Sequence, residues 1–217
     1  MLTDVADVGQ LVRAERRALI ELLEGLTPDE WATPSLCAGW TVQDVAAHIA
    51  WMPVLPAGQA VLELGRNGLR MNRMIGNTAI RWSGRGTRAI LEQLRRNVET
   101  GATAVGTSPV IALADSVIHQ LDIRRPLHRP RPTPRDAFTA VAELQAGLRW
   151  PKTIAIGGSV RRRIRGVRLV ADDLDWSYGA GEEVRGSHEA LLLLLTNRPV
   201  GEGELTGPGL ARLDRQR

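Results

Sequence analysis

Apolar residues recur at helical spacing in separate blocks along the first 125 positions of the chain. Val8, Leu11, Val12, Ile20, Leu22 and Leu23 form a stripe that predicts a first helix over Val5 to Leu26, with Arg13, Glu15, Arg16 and Arg17 largely outside it. Thr27-Pro28-Asp29-Glu30-Trp31 reads as a short helical turn, capped by Thr27 with Pro28 in the first position. Proline and glycine then punctuate a loop over Thr33 to Trp40. A second helix runs from Thr41 to Trp51, with Thr41 as cap and Asp44 three residues on, close to a capping box. Residues 57–78 are helical but irregular, weakened at Gly58, Gly65, Gly68 and Gly76. Thr87 to Thr100 carries Ile90, Leu91, Leu94 and Val98 on one side, and Ser108-Pro109 opens a mostly apolar helix that ends near Arg125-Pro126.

The texture changes after the Pro- and Arg-rich stretch Pro126 to Pro134. A helix from Thr133-Pro134-Arg135-Asp136 to about Leu148 is followed by strand-like segments at Thr153 to Ile156, Val167 to Ala171 and Trp176 to Tyr178. Ser187 caps a helix over His188 to Thr196 whose five consecutive leucines, Leu191 to Leu195, read as buried core. Beyond Pro199 the chain is glycine-rich and reads as loose, apart from a terminal turn. The pattern predicts an α+β protein: a helical bundle over residues 1–132 and a small α/β domain over residues 133–217.

Composition removes several function classes. No apolar run in the 217 residues is long enough to span a membrane. The start, Met1-Leu2-Thr3-Asp4, lacks a basic segment followed by an apolar one, and the single cysteine, Cys37, excludes an internal disulfide framework. A cytoplasmic location is the expectation. The net charge of +4 hides an asymmetry, because residues 120–170 hold twelve Arg or Lys and three acids. The densest run, Arg161-Arg162-Arg163-Ile164-Arg165, has the charge of an anion or nucleic-acid surface, but no aromatic side chains interleave it to stack on bases. A solvated strand edge or loop is the preferred reading, and nucleic acid is disfavoured as a partner.

The candidate chemistry lies in the helix after Pro109. Asp115 and His119 stand four apart, one turn above the other on the same face. A carboxylate and an imidazole so placed can grip one divalent ion, but a third ligand must come from elsewhere. His48 sits among Val45, Ala46 and Ile49 and points inward, which makes His48, Asp115 and His119 a candidate trio. For each histidine taken alone, a hydrogen-bonded core residue is the preferred reading. Asp44 and Asp122 lie near the two histidines in sequence and are expected to cap or orient rather than ligate.

Two stretches carry a family resemblance. Pro34-Ser35-Leu36-Cys37-Ala38-Gly39-Trp40-Thr41-Val42-Gln43-Asp44-Val45-Ala46-Ala47-His48 resembles the N-terminal signature of the mycothiol-dependent maleylpyruvate isomerase family, a branch of the DinB-like metal-binding four-helix bundles. Asp115-Ser116-Val117-Ile118-His119-Gln120-Leu121-Asp122-Ile123-Arg124 resembles its second signature. A weaker likeness to the family's C-terminal domain runs through Gly166 to Asp173, Trp176, Gly179 and Thr196-Asn197-Arg198-Pro199, although this part looks shorter. The resemblance implies a divalent metal, usually zinc, held by His48, Asp115 and His119. It also implies a low-molecular-weight thiol, mycothiol, as cosubstrate, and a small electrophilic substrate. The carboxylate here is Asp115, whereas the characterised isomerases carry glutamate. Arg198 matches a family position that serves catalysis, where a guanidinium could hold a substrate carboxylate; the competing role is to satisfy the carbonyls at the helix end. The leading expectation is therefore a metal-dependent, thiol-using isomerase or S-transferase. The alternatives are a non-catalytic metal-binding bundle and an anion-binding protein that uses Arg161 to Arg165.

Overall fold

The computed structural model describes residues 5–148 and 160–214, and divides between Arg131 and Pro132 into two compact units. It is mostly helical with one small sheet, as the α+β expectation required. The expected strand at Thr153 to Ile156 lies outside the described residues. No helix among the described residues is long and apolar enough to cross a membrane.

The N-terminal unit contains α1 (Val5–Glu24), the short α2 (Pro28–Ala32), α3 (Val42–Trp51), α4 (Ala57–Arg66), α5 (Met71–Ser83), α6 (Thr87–Thr100) and α7 (Pro109–Arg124). α3 is the central element, packed against α5, α6 and α7. Val42, Val45, Ala46, Ala47, Ile49 and Ala50 on it are all fully buried. A helix apolar on every side belongs inside, and its alanines let neighbours come close. Both α2 and α3 start with a complete capping box, Thr27 with Glu30 and Thr41 with Asp44. Asp44 thus takes the capping role expected of it.

The irregular stretch 57–78 resolves into two helices, α4 and α5, interrupted where Gly68 and Leu69 adopt left-handed backbone. One sequence expectation is overturned on α1. Glu15 and Arg16 are both 2% exposed, and lie within the buried face rather than outside it. Glu15 accepts two hydrogen bonds from Arg131, at 2.9 and 3.1 Å, and one from the Gln120 amide. Arg124 donates to Gln120 and to Ala18 O. This chain of bonds clamps α1 to α7.

The C-terminal unit contains α8 (Arg135–Gly147), α9 (Val160–Arg163), β1 (Val167–Ala171), β2 (Ser177–Gly179), β3 (Glu182–Gly186), α10 (His188–Leu195), β4 (Leu205–Thr206) and α11 (Leu210–Asp214). The sheet order is β2-β1-β3-β4, with β1 and β3 parallel and the other pairs antiparallel. Arg161 to Arg163 belong to a helical turn, not to a strand edge. The glycine-rich segment after Pro199 is not loose: it supplies β4 and α11. A Cβ on Gly207 would come within 2.4 Å of Glu183 O, so glycine marks close backbone approach there. Ser187 caps α10 through Ala190 N, as expected.

His188 is buried and holds this unit together. Its Nδ1 lies 2.8 Å from Asp173 Oδ2, its Nε2 lies 3.0 Å from Thr133 O, and Asp173 also accepts from His188 N at 2.9 Å. Partial burial disfavours the Asp173 charge, but these bonds outweigh it and lower the pKa. A carboxyl depressed in the folded state adds stability above its unfolded pKa, and that stability is lost as pH falls through the folded value. The thermal midpoint of the wild type should therefore fall more steeply between roughly pH 5 and pH 3 than that of Asp173→Asn. Parallel slopes in calorimetry would show that the pair contributes nothing.

Candidate metal centre

α7 presents Asp115 and His119 on one face, and α3 brings His48 to them. His48 Nε2 lies 3.3 Å and His119 Nε2 3.4 Å from the same oxygen, Asp115 Oδ1. The two imidazole centroids are 5.0 Å apart. The ligating atoms of His48, Asp115 and His119 all lie within 4.8 Å of one another. His48 is buried and His119 nearly so, while the Asp115 side chain is 32% exposed, which leaves the carboxylate as the open side.

The orientation of His119 is set from behind. Its Nδ1 lies 2.8 Å from Oδ2 of Asp122, whose side chain is fully buried. With Nδ1–H donated there, the Nε2 lone pair is free for a cation. Asp122 Oδ2 also accepts from Cys37 Sγ at 3.1 Å, and Sγ is 3.7 Å from His119 Nδ1. Cys37 reaches this position because Ser35 and Trp40 tie the preceding loop into a tight turn and Leu36 N donates to Asp122 O. Gly39 in that turn has φ +77°. Trp40 covers both imidazoles, with ring centroids 5.5 Å from His48 and 6.4 Å from His119.

The charges are strongly coupled. Burial opposes the Asp115 charge, but the His48 charge and hydrogen bonds from both histidines outweigh it and hold the carboxyl far below the usual range. Burial likewise opposes a charged His119, but its bonds to Asp115, Asp122 and Cys37 raise its pKa well above the ordinary value. Two nitrogens and one carboxylate oxygen facing a common point match the donor set of an open three-ligand divalent site. A second group, Cys37, His119 and Asp122, also has ligating atoms within 4.8 Å. Its polar atoms already satisfy one another, whereas the first group converges on Asp115 at the accessible side. His48 Nδ1 is buried without a partner among the described residues.

Residues 12–124 match the model of the mycothiol maleylpyruvate isomerase N-terminal domain, just over half of the chain. The chain belongs to this family. Two solved structures share the fold. One is the crystal structure of the mycothiol-dependent maleylpyruvate isomerase, 16% identical, with a TM-score of 0.62. The other is a histidine-to-alanine mutant of a mycothiol-dependent maleylpyruvate isomerase, also 16% identical, with a TM-score of 0.54. Each match covers 95% of this chain and 93% of the other. No curated protein matches the chain by sequence.

Arg198, the other candidate, belongs to the C-terminal unit. Its Nη1 donates to Thr196 O at 2.8 Å, so one arm serves the end of α10. Sequence reading missed the contact of Cys37 with Asp122, which joins residues 85 apart.

Replacing His119 by asparagine should keep a donor toward Asp122, since the amide nitrogen can stand where Nδ1 stood, while removing the nitrogen that faces Asp115. Elemental analysis after dialysis should find no retained ion in His119→Asn with circular dichroism unchanged, and an ion retained in Asp115→Glu. Equal metal content in wild type and His119→Asn would exclude this ligand set.

Proposed function

We propose that the protein is a metal-dependent enzyme that uses a low-molecular-weight thiol, mycothiol, to isomerise or conjugate a small electrophilic substrate. The convergence of His48, Asp115 and His119 at a partly open position carries the reading, and family membership supports it. These three residues would hold a divalent ion, for which zinc suits the nitrogen and carboxylate donors. When bound, such an ion supplies a Lewis acid that favours thiolate over thiol at neutral pH.

The protein's own groups do the rest. Asp122 fixes the ring of His119, Trp40 shields one side of the site, and the Asp115 side stays open to solutes. The sulfur of the cosubstrate bonds to an electrophilic carbon of a conjugated double bond, whose electron pair moves toward the adjoining carbonyl oxygen. Rotation about the resulting single bond followed by loss of the thiol gives isomerisation; proton uptake with the thiol retained gives conjugation. Cys37 is not assigned as the nucleophile, because its S–H is already donated to Asp122. Arg198 is proposed as a catalytic residue, its guanidinium suited to holding a substrate carboxylate. A cytoplasmic setting is part of this proposal, since mycothiol is a reducing cosubstrate.

The test supplies zinc-loaded protein with mycothiol and a panel of unsaturated carbonyl compounds, following free thiol and double-bond geometry together. Thiol loss marks a transferase, and geometric change at constant thiol marks an isomerase. Removing the ion should cut either rate by more than about 100-fold, since Lewis-acid assistance contributes several kcal/mol. A metal-retaining protein inert across the panel would favour the non-catalytic bundle.

A further inference from the structure

α4 is attached the wrong way round for an amphipathic helix. Its inner side is anchored by polar residues: Glu63 and, at the helix end, Asn67 are both buried. The Glu63 carboxylate accepts from Arg66 Nη1 at 3.1 Å and from Arg81 Nη1 at 3.3 Å. Asn67 Nδ2 donates to Glu63 O at 2.7 Å, and Asn67 Oδ1 accepts from Asn77 Nδ2 at 2.7 Å. These bonds tie α4 to α5. The opposite side carries Val61 and Leu62, 70% and 61% exposed. With Gly58 and Gly65 at helical spacing on either side, they form a stripe without a polar side chain. A Cβ at either glycine would meet nothing within 4 Å, so the stripe is open at both ends. An ordinary surface helix buries its apolar stripe and exposes its polar one.

The turn after α4 carries the same anomaly further. Leu69 is 77% exposed, and its φ of +58° is a left-handed backbone that is costly for leucine. The charge around it is one-sided. Positions 45–91 hold six arginines and a single acid, and that acid is the buried Glu63. Arg66, Arg70 and Arg73 flank Leu69 in the chain and are exposed, and Arg70 and Arg73 make no ion pair among the described residues.

Whatever covers this face must accept aliphatic side chains and supply negative charge beside them. A second copy of the chain does not, because a two-fold contact would set the arginines against their own copies with no exposed acid to meet them. Nucleic acid supplies phosphates but no apolar layer. A bilayer with anionic headgroups supplies both, and its fluid surface accepts the leucines without a matching groove. We propose that α4 and the turn after it dock the protein peripherally on anionic lipid bilayers. Val61, Leu62 and Leu69 enter the boundary between headgroups and acyl chains, and Arg70 and Arg73 pair with lipid phosphates. The contact is shallow and reversible, and independent of the chemistry at the metal centre.

Flotation of the full chain with vesicles of phosphatidylcholine, alone or with about one-third phosphatidylglycerol, tests the assignment. Binding to the anionic vesicles should exceed binding to the neutral ones by more than about tenfold and should weaken in high salt. Arg70→Gln combined with Arg73→Gln should remove that preference. Leu62→Gln combined with Leu69→Gly should cut binding to anionic vesicles by more than about tenfold. Its thermal midpoint should stay level or rise, because Leu62 meets solvent and glycine adopts the left-handed backbone freely. If the pair does not fold, Leu69→Gly alone decides, with a smaller loss expected. No flotation with anionic vesicles, or flotation unchanged by both sets of substitutions, would overturn the proposal. A dimer in lipid-free buffer, seen by sedimentation velocity and dissociated by the leucine substitutions, would assign the face to a second copy and overturn it as well.

Discussion

A fully buried carboxylate holding an imidazole is the interaction on which the site depends. Taking Asp122 out of water costs several kcal/mol unless strong hydrogen bonds replace the lost hydration. His119 Nδ1 at 2.8 Å and Cys37 Sγ at 3.1 Å provide them. Because removing either partner would leave a charge stranded in the interior, the ring of His119 has little freedom. Its other nitrogen is thereby aimed at Asp115, and through Asp115 at His48. The backbone of the same residue receives Leu36 N, so one position joins α7, the loop before α3 and the histidine geometry.

The bundle around this point departs from an ordinary apolar core. α3 is buried on all sides by valine, isoleucine and alanine, yet Arg16, Asn97, Glu15 and Gln120 lie in the same interior. Most of these polar groups are bonded to one another or to helix carbonyls, which rigidifies the unit at the expense of apolar contact. Arg16 is the exception, its Nε buried with no partner among the described residues. Local violations of the packing pattern tend to mark functional positions.

The convergence of His48, Asp115 and His119 was legible because its two halves are local. Asp115 and His119 show a one-turn spacing, and His48 follows a capping box that fixes its phase on α3. Arg16 was misread because its charge was taken to mean exposure. Val8, Val12, Leu19 and Leu23 on the buried face place residues 15 and 16 between them on the same stripe, and that phase was the signal. Contacts between residues far apart, such as Cys37 with Asp122, leave no periodicity to read. β3 and β4 escaped notice because Glu182–Gly186 is mostly polar and Leu205–Thr206 sits among glycines. Those glycines signal close strand packing as readily as looseness, and only the sheet distinguishes the two.

The two candidate ligand groups share His119 and differ in sulfur. X-ray absorption at the metal edge of the zinc-loaded protein, without added thiol, separates them directly. Ligation by His48, Asp115 and His119 predicts a first shell of nitrogen and oxygen alone, at about 2.0–2.2 Å. A sulfur scatterer at about 2.3 Å would place the ion on Cys37 instead and contradict the assignment.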